Sequence, residues 1–358
     1  MAISYQTVDG EGLLHSRKMF PITDSTHSYT YRSPSGLLFA TQFTQQALTL
    51  MERARFEDMR SRGLIITQSA FAGHSLGEYG ALASYSDLMS VEDLVSIVFF
   101  RGLTMQAAVE RDVSGRSAYS MLAVNPSRVS HKFNEASLQW LISQISQATG
   151  CLLEIVNYNI TNMQYACAGD VRALEVLGNI CSTIKKQGIE LPVVTTDTTA
   201  SPTHSRFVIH KGNADPIVSL INNQAKVTLQ RSAPLNGTSI PNIELRRGAA
   251  TIPLTGIDVP FHSSFLRQGI LPFRHFLEKN IDKSAVKPAA LVGKWIPNLT
   301  GRTFGIMKED FEEVYRLTQS VVLGDIVKNW ARYTGLPEKQ KGDCNSQHRE
   351  QYWLEERL

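Results

Sequence analysis

The sequence predicts an α/β fold: a parallel-sheet core of hydrolase-like character, with a ferredoxin-like α+β subdomain inserted into it. Three observations lead there. Residues 71–81, FAGHSLGEYGA, set a serine between two glycines, after strand-like residues and before helix formers. That is the local pattern of a strand–turn–helix with a hydroxyl at its tip. Residues from about 115 to 252 alternate strand and helix patterns in the order βαββαβ, the split βαβ arrangement. The chain has 358 residues, of which 42% are hydrophobic, enough for about two domains with cores of their own.

The elements follow in order. The first 35 residues are polar and turn-rich, and THSYTYRSPSG alternates aromatic and polar residues as a half-exposed strand or hairpin does. From Gly36 onward, LLFATQFTQQALTLMERARFEDMRSRG carries apolar residues at helical spacing and ends on Gly63, a suitable C-cap. SAFAGHS then rises as a strand into the serine turn. Glu78 falls in the first turn of the next helix, where a carboxylate satisfies backbone N–H groups. SVEDLVSIVFFRGLTMQAAVE is a further helix.

Within the insert, strand YSMLAVN, helix SLQWLISQISQATG, strands LLEIVNYN and MQYACAG, helix DVRALEVLGNICSTIKKQG and strand IELPVV succeed one another. Residues 194–248, rich in Thr, Ser, Gly, Pro and Asn, read as a long irregular excursion with little core. TIPLTGIDVPFHSSFL returns as an extended segment feeding a helix. The expected division is a core of residues 1–114 and 253–336, an insert of 115–252 and a polar tail of 337–358.

The charge balance of 36 basic to 33 acidic residues, without a long Lys/Arg run, gives nucleic-acid binding little support. The N-terminus has no apolar signal core and no stretch is long enough to span a bilayer, so a cytoplasmic protein without membrane partners is expected. Cys151, Cys167, Cys181 and Cys344 lack metal-ligand spacing, and no metal is expected.

Three residue types carry candidate chemistry. Ser75 is the candidate nucleophile, with a helix-capping serine as the alternative. His262, at the end of an extended apolar segment before a helix, is the best-placed base; His74, adjacent to Ser75, diverges from the hydroxyl. Arg101 interrupts the apolar face of its helix, and burying a guanidinium is costly unless an anion meets it. That anion is either an internal carboxylate or a substrate carboxylate held by the planar fork.

Together, GHSLGEY, RGLTMQ, TQFTQQAL, NYNITNMQYACAG and VPFHS resemble, in the same order, the malonyl-CoA:acyl carrier protein transacylase family, and within it the malonyl/palmitoyl transferase domain of the fungal fatty acid synthase β chain. The resemblance implies Ser75 as the acylated nucleophile, His262 as general base and Leu76 as an oxyanion-hole N–H. It implies Arg101 as the clamp on the malonyl carboxylate, with Gln45, Asn159 and Gln164 lining that pocket. It also implies Asn298, in IPNLTG, as the segment whose main chain orients the base, and Phe261 as the bulky residue that excludes α-branched acyl groups. The active site is expected between core and insert. No bound cofactor is implied; coenzyme A thioesters (malonyl-CoA, palmitoyl-CoA) and the phosphopantetheine of an acyl carrier protein are the substrates, and a synthase α chain or the rest of a β chain the partner.

The family's first strand and its PGQG-like loop, source of the second oxyanion N–H, have no counterpart here, so a truncated copy is expected. Two other readings stand beside transfer: a serine esterase or thioesterase, which has no need for Arg101, and a non-catalytic synthase fragment with an assembly role.

Overall fold

A computed structural model describes residues 4–8, 14–18, 27, 36–86, 89–112, 115–189, 191–197, 206–211, 214–232, 240–281 and 288–334. Along the chain run β1 (Ser4–Val8), β2 (Leu14–Lys18), α1 (Thr41–Ser61), β3 (Phe71–Ala72), α2 (Leu76–Ser86), α3 (Val91–Ala107), β4 (Tyr119–Val124) and α4 (Glu135–Thr149). Then come β5 (Leu153–Ile160), β6 (Gln164–Asp170), α5 (Val171–Gln187), β7 (Val193–Asp197), β8 (Arg206–Lys211), α6 (Asp215–Arg231), β9 (Thr251–Pro253), α7 (Ile270–Asn280), β10 (Trp295–Ile296), α8 (Lys308–Thr318) and α9 (Val321–Lys328), with shorter helical turns between. The tail predicted at 337–358 lies outside the described residues, as does nearly all of the hairpin predicted at 26–36.

The chain divides into two compact units. One comprises Met1–Tyr29, Ala40–Thr104 and Ile270–Leu358; the other comprises Thr30–Phe39 and Met105–Gly269. This differs from the division expected from sequence, which gave residues 253–269 to the core. The reason is β9, which hydrogen-bonds to the edge of β4 and carries the following segment with it into the second unit.

In the first unit, β3 and β10 form a parallel pair, Phe71 opposite Trp295 and Ala72 opposite Ile296. Leu82 of α2, Trp295, Phe304, Phe311 and Val314 of α8, and Leu323 and Ile326 of α9 make its apolar cluster. Helix α1 departs from expectation. Its buried stripe is polar, made of Thr41, Gln42, Gln45 and Thr49, whereas Leu48, Leu50 and Met51 are 42%, 45% and 43% exposed. The cause is a backbone crossing: a Cβ at Gly102 of α3 would stand 2.6 Å from the Gln42 Cα and 2.7 Å from the Thr41 carbonyl oxygen. Only glycine lets the two helices meet so closely, and the contact lays the Gln42/Gln45 side of α1 on α3.

In the second unit the sheet order is β5-β6-β4-β9, every neighbour antiparallel. Strand alternation divides its faces. Leu122, Val124, Leu153, Tyr165 and Cys167 point to α4 and α5, against Leu138, Leu141, Leu174 and Leu177. Met121, Ala166 and Ala168 point to the opposite side, joined by Val156 and Phe261.

Two expectations for the insert are corrected here. The fourth strand of the split βαβ sheet is not IELPVV: β7 pairs with β8 in a separate hairpin, and β9 takes the edge beside β4. The excursion is not irregular throughout either. Helix α6 buries Ile217 and Ile221 in the same core, each worth about 1.5–3 kcal/mol, which anchors an otherwise polar helix.

Candidate active site

The serine turn is built by a close backbone approach. A Cβ at Gly73 would lie 1.9 Å from the Gly77 carbonyl oxygen, so the chain can fold back there only on a glycine. Ser75 then takes φ 54°, a left-handed backbone that costs a residue with a side chain about 1–3 kcal/mol. Its amide donates to the Asn298 Oδ1 at 2.7 Å, and the Asn298 Nδ2 donates to the Gly73 carbonyl. The Asn298 amide in turn donates to the Glu78 Oε1 at 3.0 Å. One asparagine just beyond β10 thereby ties both sides of the strained turn, and Glu78 fixes the asparagine. Helix α2 opens on Leu76, directly after the serine. His74 is exposed.

Arg101 reaches the same turn from α3. Its guanidinium donates to the Gln45 Oε1 at 2.8 Å and to the Ser75 Oγ at 3.3 Å, and its Cζ lies 5.4 Å from the centre of the Tyr79 ring. Gln45 is itself held, donating to the Thr41 Oγ1 at 2.9 Å in a buried contact. Among the described residues, no carboxylate forms an ion pair with Arg101. Burial pushes the Tyr79 phenol above its ordinary pKa, while the neighbouring guanidinium draws it back in part.

The second unit carries the other candidates. His262 also has a left-handed backbone, φ 61°, at the turn between β9 and a 3-10 helix of Ser264–Gly269. Among the described histidines, this one shares its left-handed backbone conformation with the candidate nucleophile. Phe261, beside it, packs against the Met121/Ala166/Ala168 cluster. Asn159 lies at a bulge in β5 and Gln164 opens β6, both exposed at the hairpin end of the sheet. Ser75, Leu76, Arg101, Gln45 and Asn298 thus belong to one unit, and Asn159, Gln164, Phe261 and His262 to the other.

Sequence reasoning missed two partners here. Tyr79, one helical turn after Ser75, faces Arg101, and its signal was an aromatic at i+4 from the serine. The contact of Glu78 with Asn298 had no local signal, since the two are far apart in sequence. Among the described residues no group of three or more His, Cys, Asp or Glu could hold a metal ion, no disulfide joins Cys151, Cys167 or Cys181, and no helix is long and apolar enough to cross a membrane.

The chain is similar over nearly all its length to fungal fatty acid synthase β subunits. It is 46% identical over 333 residues to fatty acid synthase subunit beta of Saccharomyces cerevisiae, covering 93% of this chain and 15% of that one. It is 45% identical over 339 residues to the fatty acid synthase beta subunit TOXC of Cochliobolus carbonum, covering 94% and 15%. The chain therefore spans about 15% of the length of these relatives. Among solved structures, FabD from Acinetobacter baumannii overlaps 78% of this chain and 62% of its own, at 19% identity and a TM-score of 0.44. The malonyl-CoA:acyl carrier protein transacylase of Helicobacter pylori overlaps 82% and 61%, at 19% identity and a TM-score of 0.42. Acyl transferase domains match residues 17–322, and the chain belongs to that family.

Proposed function

We propose that the chain transfers a malonyl group from coenzyme A to the phosphopantetheine thiol of an acyl carrier protein through an ester on Ser75. The observation that carries this is the Arg101 guanidinium, 3.3 Å from the Ser75 Oγ with no carboxylate partner among the described residues. A cation placed within reach of the acylated oxygen favours an acyl group that carries its own anion. Gln45 and Tyr79 hold the guanidinium in place before substrate arrives, so little reorganisation is needed.

In this reading the Ser75 Oγ attacks the thioester carbonyl and His262 takes its proton. The Leu76 N–H stabilises the oxyanion, and coenzyme A leaves as the thiol with the proton returned from His262. The carrier's thiol then attacks the seryl ester, with His262 as base again, and Ser75 regains its proton. The Asn298 side chain is committed to the serine turn. The roles the resemblance gives to Asn159 and Gln164, as acyl-pocket residues, and to Phe261, as a bar to branched acyl groups, belong to this proposal. Palmitoyl, the second acyl group of the resemblance, uses the same Ser75 and leaves Arg101 to Gln45 and Tyr79.

The sequence similarity to synthase β subunits supports the remainder of a synthase as partner; the carrier protein and a cytoplasmic setting belong to the same proposal. Labelled malonyl-CoA tests the reading. Label on Ser75 that moves to a carrier protein is the expected result; turnover to free malonate with Arg101→Ala unaffected would establish an esterase instead.

A further inference from the structure

We propose that Glu154 is a positioning residue for His262, fixing the backbone turn that presents the imidazole through a two-pronged contact with Ser264. This rests on His262 being the base.

Glu154 is half-buried in β5, opposite Ala168, on the sheet face that otherwise carries Val156, Ala166, Ala168 and Phe261. A carboxylate on an apolar strand face calls for a partner. Among the described residues that partner is not a cation. The Glu154 Oε2 accepts the Ser264 backbone N–H at 2.8 Å and its Oε1 accepts the Ser264 hydroxyl, so both oxygens are spent on the residue two beyond His262. Upstream, the segment is held by a two-pronged ion pair of Arg111 with the Asp258 carboxylate and by neutral groups. The Ser120 Oγ donates to the Ile257 carbonyl at 3.0 Å and the Ser117 Oγ to the Asp258 carbonyl at 2.6 Å, while Val259 and Pro260 are buried. His262 therefore sits between two fixed points in a left-handed conformation that its own side chain disfavours. Both points include a charge-assisted contact, the stronger kind of hydrogen bond. Without the Glu154 contact, the turn is closed downstream only by Ser263, whose N–H and hydroxyl donate to the Pro260 carbonyl at 3.2 and 2.7 Å, and φ at His262 can relax toward the ordinary negative region, which swings the ring away.

The test is single-turnover acylation of Ser75 by labelled malonyl-CoA on the full chain, with thermal unfolding to measure the folded fraction. Glu154→Ala, Glu154→Gln and Ser264→Ala are compared, each in the wild-type and the His262→Ala background. Misplacing a reacting group by about an ångström can cost on the order of a hundredfold. Glu154→Ala should therefore slow acylation about tenfold or more per folded molecule, with KM little changed. Glu154→Gln, which keeps one acceptor oxygen, and Ser264→Ala, which keeps the backbone donor, should fall between. In the His262→Ala background, none of the three should slow acylation further, because a residue acting through the histidine has nothing left to position. An equal loss in both backgrounds, or a lower thermal midpoint with unchanged rate per folded molecule, overturns the proposal and leaves His262 as base intact. His262→Ala acylating as fast as wild type overturns the base assignment itself, and this proposal with it.

Discussion

Gln45 accepts a hydrogen bond from Arg101 at 2.8 Å while donating to Thr41 at 2.9 Å, so a buried glutamine relays the position of one helix to the guanidinium of another. The amide lends no charge to neutralise. It orients the fork and leaves its positive charge available to a ligand, which an acidic side chain at the same place would not do.

Arg101→Ala should lower Ser75 acylation by malonyl-CoA about a hundred- to a thousandfold, roughly 3–4 kcal/mol, the scale of leaving a buried charge unpaired. Acetyl-CoA and palmitoyl-CoA, which bring no carboxylate, should be spared or accepted better. Lysine should rescue poorly, offering a point charge where a fork is needed. Acylation rates with the three donors decide it; equal losses for all would show that Arg101 supports the fold instead.

Asn298→Ala should slow acylation by every donor alike, by about one to two powers of ten, because the Ser75 amide and the Gly73 carbonyl lose their common partner. Asn298→Asp keeps the acceptor for Ser75 but loses the donor to Gly73 and sets a second carboxylate beside Glu78, so it should be no better. A malonyl-only defect in Asn298→Ala would contradict a clamp on the turn.

Gly102→Ala should separate α1 from α3. The added methyl has no rotamer with which to avoid the Gln42 backbone, and overpacking of this kind costs about 1–3 kcal/mol. The shift should displace Gln45 from Arg101, so the malonyl-to-acetyl rate ratio should fall together with the thermal midpoint. A lower midpoint with an unaltered ratio would show that the crossing supports stability alone.

Burial pushes the Cys181 thiol up to about 12 and the Cys167 thiol up as well. In the unfolded chain both ionise near 8.5, so above that pH the unfolded state binds fewer protons than the folded one and stability falls as pH rises. Between about pH 9 and the folded-state value, each thiol should steepen the fall by about 1.4 kcal/mol per pH unit. Denaturant unfolding at pH 8 and pH 10 should show it, and Cys181→Ala should flatten the slope. Both thiols should resist alkylation until the protein unfolds.

What was legible in the sequence was local. Gly73, Ser75 and Gly77 announce the turn because the constraint that demands glycine lies within five residues. Helices α4 and α5 were legible because Leu138, Leu141 and Ile145, or Leu174, Leu177 and Ile184, repeat at the helical period. What failed depended on distant partners. Strand β9 is three residues long and becomes the fourth strand only because β4 offers an edge. Helix α1 looked like a core helix, yet Gly102 on another element turned its polar side inward. Asn298 could be placed by motif, whereas the job of its side chain depends on a serine more than two hundred residues away, at a separation of 223. Glu154 read as one more residue of a strand.

The pairing of β9 with β4 also bears on the order in which the protein forms. Val124 opposite Thr251 and Leu122 opposite Pro253 close a loop that contains α4, β5, β6, α5, the β7–β8 hairpin and α6. Loop-closure entropy grows only slowly with length, about 0.6 kcal/mol for each doubling, but it must be met before the strand pair returns anything. On a ribosome, three strands of this sheet emerge and can pair well before the fourth is synthesised. Meanwhile the outer edge of β4 stands open, the kind of edge on which chains join one another. The strand that seals it leads straight into His262. A nascent chain stalled short of Thr251 would thus be both prone to self-association and without its candidate base, so protection from aggregation and the arrival of His262 fall in the same step.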